Sequence, residues 1–428
     1  MRLTLPALVA LLVAVATVAT GTPVPLPAEA ETAVGPPTGQ ATVSDAGTTQ
    51  SVASPIDPLQ NTSDYLALAG QSRANAQFGN ATLDVTGAVA LEQSQLQAEL
   101  NESATLQAFE SAASSTNRTV IVERAANRIQ NRTDALRTRQ ERTVAAYNRG
   151  DISADTFLQR LAVIDTEAPQ HRQYIDAVLQ RTGRTPGYSL PNDLRTRLES
   201  LKVGPTVLQG SLRNSVGQSM SGENDAFRVY VETTDGGIVL ARVTGNRYVR
   251  EAFLDSEYQQ PGPDQFAEGE QAPISAAYER ARTLYPWTFE NSITVPSATG
   301  YGSTSVYQIK VDHSQGVLTS YIDGTTTNVF RETQEKRLSQ LPVAINATNR
   351  NRNLTIAAGL THESGPLNVS VAHTATGDHA DARVTLDGQY VGRTGPDGTL
   401  WTIRPHGPVT VNATTETGER VTLDLGSS

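Results

Sequence analysis

Near residue 204 the hydrophobic period of this chain changes from that of a helix, about 3.6 residues, to that of a strand, about 2. Before the change, Leu91, Leu96, Leu100, Leu106 and Phe109 thread one segment. Val122, Ile129 and Leu136 recur every seven residues in the next, which Gly150 closes. Ser153 caps a third helix with Phe157, Leu161 and Ile164 on one face, Tyr174, Val178 and Leu179 mark a fourth, and Pro191-Asn192-Asp193 opens a short fifth. Short connections make such helices antiparallel neighbours, so residues 86–203 predict an α-helical bundle. Arg132 and Arg139 fall at the other seam positions of the Val122 heptad, which argues against a long two-stranded coiled coil.

After the change, Phe227, Val229 and Val231 alternate with Arg228, Tyr230 and Glu232, and Asp235-Gly236-Gly237 turns the chain back. Strands follow at 238–243 and 248–253, then an acidic loop, a helix from Ile274 to about Tyr285, and strands at 305–311, 317–322 and 328–331. Residues 204–342 therefore predict an α+β domain. Residues 343–428 read as seven short strands between regular turns, a small all-β, immunoglobulin-like sandwich. Its expected core is Val384, Leu386, Trp401, Ile403, Val409, Val411, Leu423 and Leu425, and it is expected to fold independently. The fold class is thus multidomain: helical bundle, α+β domain, β-sandwich.

The N-terminus sets the compartment. Met1-Arg2 precedes an apolar run from Leu3 to Val18 and small residues through Gly21, the pattern of a signal peptide over residues 1–21, with cleavage after Gly21 or Ala30. The run is shorter than the roughly 20 residues a spanning helix needs, so retention as an anchor is the lesser reading and the sole expected membrane association. Residues 22–85 are rich in Pro, Gly, Ala and Thr and predict a disordered linker. The chain contains no cysteine, so its domains rest on apolar cores, and thiol catalysis and thiolate metal sites are excluded.

The net charge of −10 argues against a general nucleic-acid binder. Among 34 basic residues lysine occurs only at Lys202, Lys310 and Lys336, a bias that with the acidic excess suits a halophilic archaeon. Sequons for N-glycosylation stand at Asn61, Asn80, Asn101, Asn117, Asn131, Asn346, Asn353, Asn368 and Asn412, with none between Asn131 and Asn346. The second helix carries Arg118, Arg124, Arg128, Arg132, Arg137, Arg139, Arg142 and Arg149. These form either a docking face for an acidic partner or a solvated face with pairs such as Arg137–Glu141.

No catalytic constellation emerges. None of His171, His313, His362, His373, His379 and His406 lies in a zinc-protease motif, and "GQSMSG" from Gly217 lacks the second glycine of a nucleophile elbow. Asp312-His313-Ser314 are consecutive, so on a strand they point to opposite faces. His373, Asp378, His379 and Asp381 read as turn residues, not metal ligands. No catalytic, cofactor or metal residue is expected.

Two stretches carry resemblances. "SVYQIKVDHSQGVLTSYIDGTTTNVF", after its helix, resembles the PepSY-like modules of secreted proteins through Tyr307, Ile309, Val311, Tyr321 and Asp323, although "DGTTTN" replaces the closing Thr-Gly. The resemblance implies an accessory domain that binds or restrains a peptidase. "VTLDGQYVGRTGPDGTLWTI" resembles carboxypeptidase-regulatory-like β-sandwich modules through Val384, Leu386, Gly388, Gly392, Thr394, Gly398 and Leu400, which implies a spacer or adhesion unit. The whole architecture resembles secreted haloarchaeal surface proteins. The resulting expectation is a non-enzymatic, glycosylated, extracellular or cell-surface protein with an envelope protein, glycan or peptidase as partner. The alternative is a regulator of an extracellular peptidase.

Overall fold

The computed structural model describes Leu66, Leu68 and residues 73–302, 304–361 and 365–426. The expected signal peptide, most of the expected linker, Asn61 and His362 lie outside these residues. The elements begin with β1 (Asn75–Ala81), followed by α1 (Val85–Ser111), α2 (Ser115–Asn148), α3 (Ala154–Arg184), α4 (Asn192–Leu201), α5 (Val203–Leu208) and α6 (Ser211–Met220). Next come β2 (Phe227–Thr233), β3 (Gly237–Thr244), β4 (Arg247–Leu254), α7 (Pro273–Leu284), α8 (Pro286–Glu290), β5 (Ser297–Gly300), β6 (Val306–His313), β7 (Gly316–Asp323) and β8 (Asn328–Arg337). The last part holds β9 (Ala344–Arg350), β10 (Leu354–Leu360), β11 (Pro366–His373), β12 (Ala382–Leu386), β13 (Gln389–Arg393), β14 (Thr399–Ile403), β15 (Val409–Thr415) and β16 (Arg420–Leu425).

The organising element is an antiparallel sheet in the order β1-β2-β3-β4-β8-β7-β6-β5. Strand β1 comes from before the helices and pairs with β2, Asn75 opposite Thr233. The end of the expected linker is therefore an edge strand. The signal was short and masked: Asn75 to Ala81 holds only Phe78 as a large apolar residue. Leu66 and Leu68, also assigned to the linker, are buried on the sheet.

The helices form a layer on one face of this sheet. Phe157, Leu158 and Leu161 of α3 share a core with Leu212 and Val216 of α6 and with Val229, Val231, Ile238 and Leu240 of the sheet. The expected boundary at 203/204 is thus no boundary in packing. Helix α2 is capped by the Ser114 hydroxyl, which accepts from Asn117 N at 3.1 Å, and it ends as expected before Gly150 at φ +77°. The expected third and fourth helices are one, α3, which runs through Pro169. Burial of Ile164, Ala168, Tyr174 and Ile175 on both sides of the proline offsets the lost backbone bond. In α1, Leu91 and Phe109 are buried, but Leu96 and Leu100 are exposed. At 100° per residue those two lie on the side opposite Leu91, in one stripe with the exposed Val85 and Val89.

The other face of the sheet has two covers. Over β6 to β8, Ala277 and Ala281 of α7 pack on Ile309, Val311, Leu318, Ile322 and Val329. Over β2 to β4 sits the C-terminal sandwich. It consists of sheets β14-β11-β10-β9 and β13-β12-β15-β16, closed on Leu354, Ile356, Val369, Val384, Val411 and Leu423. Strand β9 was not anticipated. The same core continues into Phe78, Tyr230, Ala241 and Tyr248 of the large sheet. The sandwich is therefore docked on the large sheet through a shared core. Trp401, expected inside, is half-buried at the margin of this core, because β14 lies against β3 and both its faces are partly covered.

The docking is specific. Gln389, at the β12–β13 turn, accepts from Phe78 N at 3.3 Å and donates to Phe78 O at 2.8 Å, satisfying the free edge of β1. Tyr390 is held between the guanidinium groups of Arg228 and Arg383, 4.6 and 4.4 Å from its ring centre. Gln389→Ala removes both edge bonds, so it should lower full-chain stability by about 1–2 kcal/mol in urea unfolding. An unchanged midpoint would mean that the edge contacts do not hold the docking.

Candidate functional site

A polar cleft of about 750 Å³ lies between the helix layer and the large sheet. Its floor is Asp165 of α3 and Arg331 of β8, and its walls include Arg172, Ser211, Asn214, Tyr301, Gln308 and Tyr321. The sheet supplies Gln308, Tyr321 and Arg331 from three adjacent strands, β6, β7 and β8. A register shift beside Tyr321 places Tyr321 opposite Arg331 and Ile322 opposite Val329. That shift lets both Phe330 and Arg331 face the helices.

Arg331 is 9% exposed and donates to the Thr206 carbonyl at 2.5 Å, with its guanidinium 4.9 Å from the Tyr321 ring centre. Among the described residues no carboxylate lies within ion-pair distance of it. Gln308 bridges the two tyrosines, accepting from Tyr301 Oη at 3.2 Å and donating to Tyr321 Oη at 3.0 Å. Burial beside Tyr321 pushes the Tyr301 phenol up to about 12, so it stays a neutral donor.

Asp165 and Glu251 are turned to α6. Gly210 N donates to Asp165 Oδ1 at 2.5 Å, and Leu212 N donates to Glu251 Oε1 at 2.5 Å, so two carboxyl groups cap one helix start. Gly210 is required there, because a Cβ would collide with the Glu251 carboxylate. Arg213 lies 3.9 Å from Glu251 and donates to Gln140 Oε1 at 2.6 Å. Desolvation dominates Asp165 and raises it to about 7, against the Gly210 bond and the more distant Arg213 and Arg331. His171, on the same helix and bonded through Nδ1 to Thr133 Oγ1 at 3.1 Å, is lowered to about 4 by burial and then by Arg132.

Of these cleft residues the sequence singled out only Tyr321, and that for a resemblance and not for a site. One signal was available: Asp165 interrupts the apolar face Leu161, Ile164, Ala168, and Pro169 follows four positions later. Pro169 lacks the N–H that would bond the Asp165 carbonyl, so the helix is locally open at the cleft.

The sequons are scattered, not gathered. Asn117, Asn131 and Asn353 are exposed. Asn80 is half-buried with its amide toward Asp155 at 3.4 Å, and Asn412 accepts from Thr422 at 2.7 Å. Asn101 and Asn368 are half-buried, in α1 and β11, and Asn346 belongs to β9. Along the arginine-rich α2, Arg137 pairs with Glu141 and Asp255, Arg139 with Glu167 and Arg149 with Asp151. "GQSMSG" runs through the end of α6 with Ser219 and Met220 buried, so it is no strand-to-helix elbow. Asp381 is tied to Arg393 at 2.8 Å, and among the described residues no group of three His, Asp or Glu side chains is placed to hold a metal ion.

An α+β body with a terminal β-sandwich defines a class of modular chain. Residues 346–422 match an archaeal fibronectin-III type-like domain. The chain belongs to the family of the domain of unknown function DUF7096, whose model matches residues 1–225. Residues 229–342 match a second family of unknown function, DUF7094. The large sheet crosses from one to the other, since β1 lies in the first and β3 to β8 in the second. No curated protein and no solved structure matches the chain.

Asp165 and His171 make opposite contributions to stability with pH. The raised Asp165 contributes stability that is complete below its ordinary 3.8 and is lost as pH rises through about 7. The lowered His171 contributes stability that is complete above its ordinary 6.5 and is lost as pH falls toward about 4. Relative to the parent, Asp165→Asn should therefore gain stability as pH rises through this window, and His171→Gln should lose it. Thermal unfolding of both variants across the window checks this, and parallel pH profiles in all three proteins would contradict it.

Proposed function

We propose that the chain is a non-enzymatic glycoprotein, exported to the cell surface or the surrounding medium of a halophilic archaeon, where it binds an envelope component or organises the envelope. The observation that supports this most is the C-terminal fibronectin-III-type sandwich, packed onto the α+β body so that the two present one continuous body. Modules of this kind are built for spacing and contact. The apolar start of the sequence supports export, and the exposed Asn117, Asn131 and Asn353 supply attachment points for glycan. Among the described residues no helix is long and apolar enough to cross a membrane. The expected partner is an envelope protein or glycan, and the acidic charge disfavours nucleic acid.

A second reading, regulation of an extracellular peptidase, draws on the packing of α7 against β5, β6 and β7, the helix-and-strand unit that resembles PepSY-like modules. Co-purification with an active peptidase, and slowing of it by the added chain, would favour this reading over the first.

Glycopeptide mass spectrometry on protein taken from the native culture tests the main reading. Occupancy should be highest at Asn117, Asn131 and Asn353 and lowest at Asn80 and Asn412, whose side chains are engaged. N-terminal sequencing of the same sample should begin after Gly21 or Ala30. Bare sequons together with an intact Met1 in the cell interior would overturn it.

A further inference from the structure

The cleft between the helix layer and the sheet has a composition that its surroundings do not explain. A guanidinium as buried as that of Arg331 is ordinarily paired with a carboxylate, because an isolated buried charge is costly. Arg331 instead has one carbonyl and one aromatic face, and its remaining donor capacity lies at the cleft floor. Arg172, exposed on the cleft wall, adds a second guanidinium. One carboxyl, Asp165, stands against these two cations.

The remaining lining is neutral and rich in hydrogen-bonding groups: the Tyr301 and Tyr321 hydroxyls, the amides of Gln308 and Asn214, and the hydroxyl of Ser211. The two tyrosine rings lie 6.3 Å apart, inclined at 30°, and offer apolar faces beside these groups. A volume of about 750 Å³ is within the usual range for small-molecule sites. Guanidinium groups pair with a planar carboxylate, while alternating amides and hydroxyls beside aromatic rings suit a ring carrying several hydroxyls.

We propose that this cleft binds a small sugar acid, its carboxylate on Arg331 and Arg172 and its hydroxyls on the Gln308, Asn214 and tyrosine side. The proposal does not depend on export or glycosylation of the chain. The groups that face Asp165 are Glu251 from β4, Arg213 from α6 and Arg331 from β8, with Gly210 N as its bonded donor. When Asp165 is neutral the cleft presents two cations, and when it ionises it repels a bound carboxylate. Its elevated titration places that change near neutral pH.

Calorimetric titration of the full chain near pH 6 with D-glucuronate, and with D-glucose as the neutral counterpart, tests this. Glucuronate should bind saturably and glucose about tenfold or more weakly, as loss of a charge-assisted contact implies. Arg172→Gln, at an exposed position without a packing role, should weaken glucuronate about tenfold and leave unfolding unchanged. Arg331→Lys, with folding checked by circular dichroism, should also weaken it, because lysine cannot reproduce the planar fork. Affinity should fall between about pH 6 and about pH 8 in the parent and hold steady in Asp165→Asn. No saturable binding of glucuronate, equal binding of glucose, or unchanged affinity in Arg172→Gln would each overturn the proposal.

Discussion

Strands β4 and β8 run side by side at the centre of the large sheet, and their alternating side chains serve two separate polar networks. Arg250 and Glu332 point to one face, where they pair at 3.0 Å with exposures of 2% and 0%. Glu251 and Arg331 point to the other, where Glu251 caps α6 and Arg331 meets Thr206 and the cleft. A slip of one residue would exchange the two sets and leave four charges buried without partners. Register here is therefore fixed by charge as well as by apolar pattern, and both covers of the sheet depend on it.

The Arg250–Glu332 pair is also a clamp. Glu332 accepts from Tyr285 Oη at 2.7 Å and from Leu66 N at 3.1 Å, while Arg250 donates to the Leu66 carbonyl. One pair thus fastens the segment entering the fold and the residue that joins α7 to α8. A second buried group, Arg73 with Glu232, does the same at the sandwich, where Arg73 Nη2 lies 2.7 Å from His406 Nε2. Bonded on several sides, such groups cost less desolvation than isolated charges and specify one arrangement of the covers.

What was legible in the sequence follows from which forces are local. The Ser153 cap, the Gly150 stop and strands β2 to β4 could be read because capping and period-two alternation act within a few residues. Strand β1 could not, since its place is conferred by β2, 150 or so residues away, and its own composition is polar. The single helix α3 was divided because the buried faces on either side of Pro169 are completed by other elements. The docking of the sandwich was hidden for the same reason, since nothing local shows that Phe78 and Tyr230 continue its core. The cleft was invisible because Arg172, Arg331 and Tyr301 are ordinary residues until the helix layer and the sheet bring them together. The sequons were plain in the sequence, but only the fold separates exposed Asn117 from engaged Asn412.

The claim that a central charged pair sets the register and holds the covers is tested most directly by Glu332→Gln in the full chain, followed by urea unfolding with hydrogen exchange at Leu66 and Tyr285. Removing the charge that Glu332 sets against buried Arg250 should cost about 3–5 kcal/mol and speed exchange at Leu66 and Tyr285. A change in stability within about 0.5 kcal/mol, with Leu66 and Tyr285 protected as before, would contradict the account.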